Sequence, residues 1–248
     1  MKLIDAVVLC VVIIALLVAA YVLLIVLPGT TSGAGSPQVS AVSAETTADE
    51  GVMLVGVPDV MQAEYYSCGA AAFQAVLNYY GLIACETELR TRLNTTPGHG
   101  TYPWDIVNAS QKLGFAAEWR ENVTLNDVES SLKSGVPVII DGQRFKAANS
   151  TWNETWNTGH YMVIYGIDKN TVYLEDPAIL GSRLAVPRDE FVSLWHDYEC
   201  ELPVPADAHR YYQLGIFING TVPAHRAGTI NITDSYQMIG PEGIETVG

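Results

Sequence analysis

An α+β fold, with its helices and strands in separate layers, is the architecture this sequence predicts. Three observations carry that reading. Runs with helical spacing, several of them closed by a glycine, fill residues 67–135. Runs rich in Val, Ile, Leu and Tyr recur between residues 136 and 218, and a short polar turn joins two of them as an antiparallel hairpin. Helices come first and strands later, which sets aside a parallel wound sheet.

The elements follow in order. Residues 6–27 are 22 consecutive residues without a charge, dominated by Val, Leu, Ile and Ala, and about 20 such residues span a bilayer core as a helix. A cleaved signal peptide is the alternative, with small residues at Ser40-Ala-Val-Ser-Ala44, but its apolar region is usually only about 7 to 15 residues. A retained membrane anchor is therefore expected in residues 1–27. Lys2 and the amino terminus put the start of the chain in the cytoplasm under the positive-inside rule. Residues 28–52 read as a flexible tether, since 28–50 are rich in Gly, Ser, Thr, Ala and Pro and carry no aromatic side chain to bury. Coil statistics give it a reach of about 25 to 30 Å. Residues 53–218 hold the folded domain, and 219–248 form a tail that is either a loose end or a small extra strand and loop.

Inside the domain, Ser67 is placed to cap a helix in which Ala71, Ala72, Ala75, Val76 and Tyr79 recur at helical spacing until Gly81. The alanines leave a thin face that can press closely on a sheet. Shorter helices are expected at 87–93, 103–112, 125–133 and 188–195, and strands at 136–140, 161–165, 171–174 and 214–218. Between them, residues 141–159 contain Trp152, Trp156, Asn149 and Asn153 with few aliphatics. They read as a surface loop whose aromatics either rim a cleft or simply pack the loop down.

Chemistry concentrates at four residues. Cys68 opens the first helix, where the positive end of the macrodipole favours a thiolate over a thiol. Gln62 stands six positions upstream, placed to donate its amide to an oxyanion together with a backbone N–H at the helix start. His160 begins a strand, and the turn at Ile167-Asp168-Lys169-Asn170 folds the next strand back so that Asp176 approaches it. A base for the thiol proton and a carboxylate that fixes the imidazole tautomer are what a cysteine nucleophile requires. A lone cysteine also packs well as a small buried hydrophobe, so the reading rests on the set. His99, in a turn-rich stretch, is a second candidate base with a solvated loop role as its alternative; His196, His209 and His225 have no supporting context.

Gln62, Ser67-Cys68-Gly69, Gly159-His160 and Asp176-Pro177, in this order, resemble the papain-like cysteine peptidases that process bacteriocin leaders, family thirty-nine of the cysteine peptidases. The resemblance covers about residues 53–218. It implies a papain-like fold, with a helical layer packed on an antiparallel sheet, and it implies Cys68 as nucleophile, His160 as base, Asp176 as its orienting partner and Gln62 in the oxyanion hole. The best-known members form the N-terminal domain of an ATP-driven peptide exporter and cut leaders after a double glycine. No Walker-type Gly-x-x-x-x-Gly-Lys-Ser/Thr sequence occurs here, and the chain is more similar to free-standing relatives, in a membrane-anchored form.

Charge and cysteines bound the partners. Lys and Arg total 13 against 27 Asp and Glu, a net charge of -14 with no basic cluster, so nucleic acid is not an expected partner. Cys85 and Cys200 are a candidate pair in an oxidising compartment, and two separate thiols otherwise. No Cys-x-x-Cys or His-Glu-x-x-His sequence is present, and neither metal nor cofactor is expected. Asn94, Asn108, Asn122, Asn149, Asn153, Asn219 and Asn231 all stand in Asn-x-Ser/Thr frames, seven of eleven asparagines, which suits an externally exposed glycoprotein. The expected function is a membrane-anchored, extracytoplasmic thiol peptidase acting on a peptide or protein. A cell-wall peptide amidase or transpeptidase with the same triad, and an inactive surface binding module, are the alternatives.

Overall fold

The computed structural model describes residues 51–179, 181, 183–199, 206–222, 229–232, 237–240 and 243–246. The expected anchor, most of the tether, Cys10, Cys200, His225 and residues of the tail outside the last four ranges lie outside them. In chain order the elements are β1 (Gly51–Leu54), α1 (Cys68–Tyr79), α2 (Glu86–Arg92), α3 (Pro103–Lys112), β2 (Ala116–Arg120), α4 (Leu125–Lys133), β3 (Val138–Gln143), a 3-10 turn (Trp152–Glu154), β4 (Gly159–Ile167), β5 (Thr171–Glu175), β6 (Arg183–Pro187), α5 (Arg188–Leu194), β7 (His196–Tyr198), β8 (Arg210–Tyr212), β9 (Gly215–Asn219), β10 (Thr229–Ile232), β11 (Gln237–Gly240) and β12 (Gly243–Thr246).

An eight-stranded sheet runs in the order β10-β1-β4-β3-β9-β2, with β5 and β6 extending from β4. Its pairings are antiparallel. Strand β4 is central because eight of its nine residues are buried, so it needs neighbours on both edges and covering layers on both faces. The β4–β5 hairpin forms as expected. Asp168 accepts from the Asn170 and Thr171 N–H groups at 2.8 Å each, which closes the turn. A register shift between Ile164 and Gly166 then sets Val163 opposite Glu175, beside Asp176.

Helix α1 lies on this sheet against β4. Ala70, Ala71, Ala72, Phe73, Ala75, Val76 and Leu77 are all fully buried, so the alanine face does bring the helix close to the strands. Tyr79 and Tyr80 carry their rings into the core and keep their hydroxyls satisfied on the Gly135 and Ile218 carbonyls, at 3.1 and 2.6 Å. The expected helices are present within one or two residues at each end. Thr124 caps α4 in a reciprocal box with Asp127.

Two expectations change and two open alternatives are decided. Ser67 occupies the N-cap position but its hydroxyl makes no capping bond; it closes the preceding turn, accepting from Glu64 N–H and donating to Glu64 O at 3.1 and 2.9 Å. The loop expected at 141–159 is shorter, because Asp141 and Gln143 continue β3 as buried residues opposite Tyr161 and Gly159. Trp152 and Trp156 hold that loop down. Trp152 donates its indole N–H to Glu190 at 3.0 Å, and Trp156 packs on His196, with ring centroids 4.3 Å apart. In the tail, β10 pairs with β1, and β11 pairs with β12 as a hairpin. No helix among the described residues is long and apolar enough to cross a membrane.

Candidate active site

The start of α1 and the start of β4 meet at a cleft of about 440 Å³ lined by Cys68, His160, Tyr65, Tyr66, residues 97–103 and Tyr161 among others. Cys68 is half-buried and its thiol is free. No acidic side chain stands in the first turn of α1, so nothing there cancels the positive end of the helix, whose first N–H groups have no partner within the helix. Gly69 follows because there is no room for a side chain: an added Cβ would lie 2.7 Å from Thr101 Cβ and 3.1 Å from the Tyr161 ring.

His160 is 6% exposed. Its Nε2 meets Asp176 Oδ1 at 2.6 Å, and the imidazole also engages the Cys68 thiol. The hairpin therefore delivers what the sequence called for, an imidazole held between thiol and carboxylate. Burial lowers the affinity of His160 for its proton, but the Cys68 thiolate and the Asp176 carboxylate more than offset this and raise it to about 9. Asp176 is 1% exposed. Burial alone would push its carboxyl up; hydrogen bonds from His160 and the Ala178 N–H, and the Arg144 guanidinium, hold it down at about 2. Arg144 Nε reaches Asp176 Oδ2 at 2.9 Å, while the guanidinium stacks over Phe145 at 4.2 Å.

Gln62 is fastened to the same corner by its backbone, with its N–H donating to Pro177 O at 2.6 Å. Its side-chain amide donates one N–H to Glu64 O at 2.6 Å, and the amide carries a second. Gln62 lines a second cleft, also about 440 Å³, with Arg144, Phe145, Gly159, His160 and Ala178. Of the four residues singled out in the sequence, Cys68 lines the first cleft and Gln62 the second, while His160, bonded to Asp176, lines both at the start of β4.

Other histidines separate cleanly. His99 lies in the 97–103 loop and lines the first cleft, half-buried and stacked on Tyr102 with centroids 4.5 Å apart. His196 is buried with Nε2 on Thr155 O at 2.8 Å, and His209 lies on the surface beside Glu121. Arg144 was not singled out in the sequence. Its only signal is position, since it follows the last residue of a strand whose partner begins at Gly159. Asp141 and Asp197 also line the first cleft and were missed for the same reason. Among the described residues no three His, Cys, Asp or Glu side chains converge as a metal site.

A thiol at a helix start facing a carboxylate-bound imidazole, on a helix packed against an antiparallel sheet, is the layout of a cysteine-type peptidase. Residues 57–202 match the Peptidase C39 family, and the chain belongs to that family. An uncharacterized protein of Methanothermobacter thermautotrophicus is 32% identical over 132 residues, covering 53% of this chain and 78% of that one. A lactococcin transport/processing ATP-binding protein of Lactococcus lactis is 27% identical over 135 residues, 54% of this chain but only 17% of that longer protein. A crystal structure of a C39-like peptidase from Bacillus anthracis shares the fold, with a TM-score of 0.52 and 20% identity over 71% of this chain and all of that one.

Proposed function

We propose that this protein hydrolyses peptide bonds through a Cys68 acyl-enzyme, in a domain carried outside the cell by a membrane anchor at residues 6–27. The observation that carries the chemistry is the 2.6 Å contact between His160 Nε2 and Asp176 Oδ1 on an imidazole that also engages Cys68. Cys68 Sγ attacks the scissile carbonyl carbon, and the imidazolium of His160 gives its proton to the departing amine. Water then attacks the thioester carbonyl, losing a proton to His160 as the C–S bond breaks, which releases the acid and restores the starting Cys68–His160 pair. Asp176, itself pinned by Arg144, keeps the imidazole in one tautomer. The second amide N–H of Gln62 and the open N–H groups at the start of α1 are the donors for the oxyanion. The outward location is supported by the sequons: Asn94, Asn108, Asn122, Asn149, Asn153 and Asn219 are all exposed.

The test is expression of the full chain in membranes. Cys68→Ala abolishes cleavage of a peptide library that the wild type cuts, while the far-ultraviolet circular dichroism of the two proteins coincides. Added protease removes the domain from intact cells, and glycosidase treatment shifts its mass. Undiminished cleavage by Cys68→Ala overturns the chemistry; a domain protected until the cells are broken overturns the location.

A further inference from the structure

The second cleft carries hydrogen-bond donors that the reaction does not use. Cys68 lines the first cleft and not the second, while His160 lines both. The acyl half of a cut substrate stays on Cys68, and the amine half departs with a proton from His160. The second cleft therefore receives the residues that follow the cut bond. Arg144 stands in its wall with a side chain 18% exposed. Asp176 takes only its Nε, at 2.9 Å, and among the described residues Nη1 and Nη2 make no hydrogen bond. Those open N–H groups form a planar fork that matches a carboxylate. The wall that carries the fork is fixed. Thr158 O accepts from the Arg144 N–H at 3.0 Å, the Thr158 hydroxyl donates to Phe145 O at 2.8 Å, and the guanidinium lies over the Phe145 ring at 4.2 Å. Phe145 and Tyr65 line the same cleft and are 56% and 80% exposed, so apolar ring surface borders the fork. Charge also favours an anion here. Glu64, the acidic side chain lining this cleft, is engaged by Arg90 Nη1 at 3.4 Å, and Asp176 is 1% exposed.

We infer that Arg144 is a specificity residue that binds a carboxylate on the leaving half of the substrate, within the first few residues after the cut bond. This rests on the peptidase reading. The carboxylate belongs to an aspartate or glutamate side chain or to the substrate's own C-terminus, and either accepts two parallel bonds from Nη1 and Nη2. Asp176 keeps its bond to Nε while the substrate takes the other edge of the guanidinium, so no contact of the catalytic set is given up. The Phe145 and Tyr65 rings cover the aliphatic part of the bound residue and keep water from the ion pair, which strengthens it. Since Thr158 and Phe145 already hold Arg144 in place, little side-chain freedom is lost when the carboxylate docks.

The experiment uses the full chain in detergent micelles and matched peptides that exchange glutamate for glutamine, and aspartate for asparagine, at each of the first three positions after the cut bond. Each is made with a free and an amidated C-terminus. At one position, or at the free C-terminus, kcat/KM is expected to be at least about tenfold higher for the carboxylate than for its amide. A gain that follows the side chain and survives amidation assigns an acidic residue. A gain lost on amidation assigns the C-terminus; both uphold the inference. Arg144→Gln slows every peptide because Asp176 loses a bond, but the ratio cancels that common loss and is expected to fall close to one. Binding gives a readout free of the rate: on a Cys68→Ala background the carboxylate peptide binds about tenfold more tightly than its amide, and adding Arg144→Gln removes the difference. Equal kcat/KM for carboxylate and amide throughout, or a preference that survives Arg144→Gln, overturns the inference and leaves the peptidase standing. No cleavage of any peptide overturns both.

Discussion

Asp176→Asn removes one charge and keeps the shape of the side chain, so its effect can be worked from the site. In the wild type, burial opposes protonation of His160, yet the Cys68 thiolate and Asp176 raise it from 6.5 to about 9. That amounts to about 3 kcal/mol in favour of the imidazolium, at about 1.4 kcal/mol per pH unit. Cys68 supplies part of this, so loss of the Asp176 charge is expected to lower His160 by about one pH unit or more. Arg144, 2.9 Å from Asp176 Oδ2, acts in the same direction, because without its counter-charge it repels the imidazolium. The amide can also hold the wrong tautomer, and in a serine triad that substitution costs about 10⁴-fold; because a thiol is an intrinsically better nucleophile than a hydroxyl, a loss of about 10²- to 10⁴-fold is expected here. The assay is kcat/KM for one peptide from pH 5 to pH 10. The wild type loses activity as His160 deprotonates near pH 9, and the variant loses it at lower pH with a lower plateau. A basic limb that does not move, with a rate within about threefold of wild type, would refute the argument.

Three further outcomes follow from the same contacts. Ser67→Ala strands the Glu64 N–H that the hydroxyl now satisfies at 3.1 Å, and should cost about 1 to 3 kcal/mol; an unchanged unfolding temperature would show that water replaces the bond. Gly69→Ala drives a methyl to 2.7 Å from Thr101 Cβ and should reduce kcat/KM by about tenfold or more through displacement of the start of α1, whereas wild-type kinetics would mean that the 97–103 loop yields freely. Stability also depends on pH. Since the folded value of His160 is raised, its contribution is complete below pH 6.5 and is lost as pH rises through about 9. Asp176, held down at about 2, contributes above its ordinary 3.8 and loses that contribution as pH falls through 2. Thermal unfolding between pH 6.5 and 9 should therefore fall more steeply in the wild type than in Cys68→Ala, which lacks the thiolate; parallel curves would contradict the coupling.

The placing of Cys68, His160 and Asp176 together was readable because each has a local signature. A cysteine at a helix start, and a histidine and an aspartate on the two arms of a hairpin, are set by turns and periodicity within a few residues of each group. Arg144, Asp141 and Asp197 have no such signature. Asp141 looked like the start of a loop because the apolar run 136–140 ends there, and only its pairing with Tyr161, twenty residues on, shows it to be buried strand. Asp197 reaches the cleft through the β7–β8 ribbon, whose strands have three residues each, too few for a period to register. Strand β2 was missed because it alternates between exposed and half-buried residues at a sheet edge, and β1 because four residues at the end of a tether carry little pattern. Ser67 shows the reverse error. Its residue type suits a cap, but the tight 64–67 turn takes the hydroxyl first.

The central claim is a working Cys68–His160 pair, and the molecule contains its own control in Cys85, a free thiol more exposed than Cys68. Alkylation of the full chain with iodoacetamide at pH 6, where an ordinary thiol is almost wholly protonated, followed by peptide mapping, compares the two directly. The account predicts that Cys68 is modified many times faster than Cys85 and that His160→Ala removes the difference. Equal rates at the two cysteines, or an advantage at Cys68 that persists without His160, would contradict it.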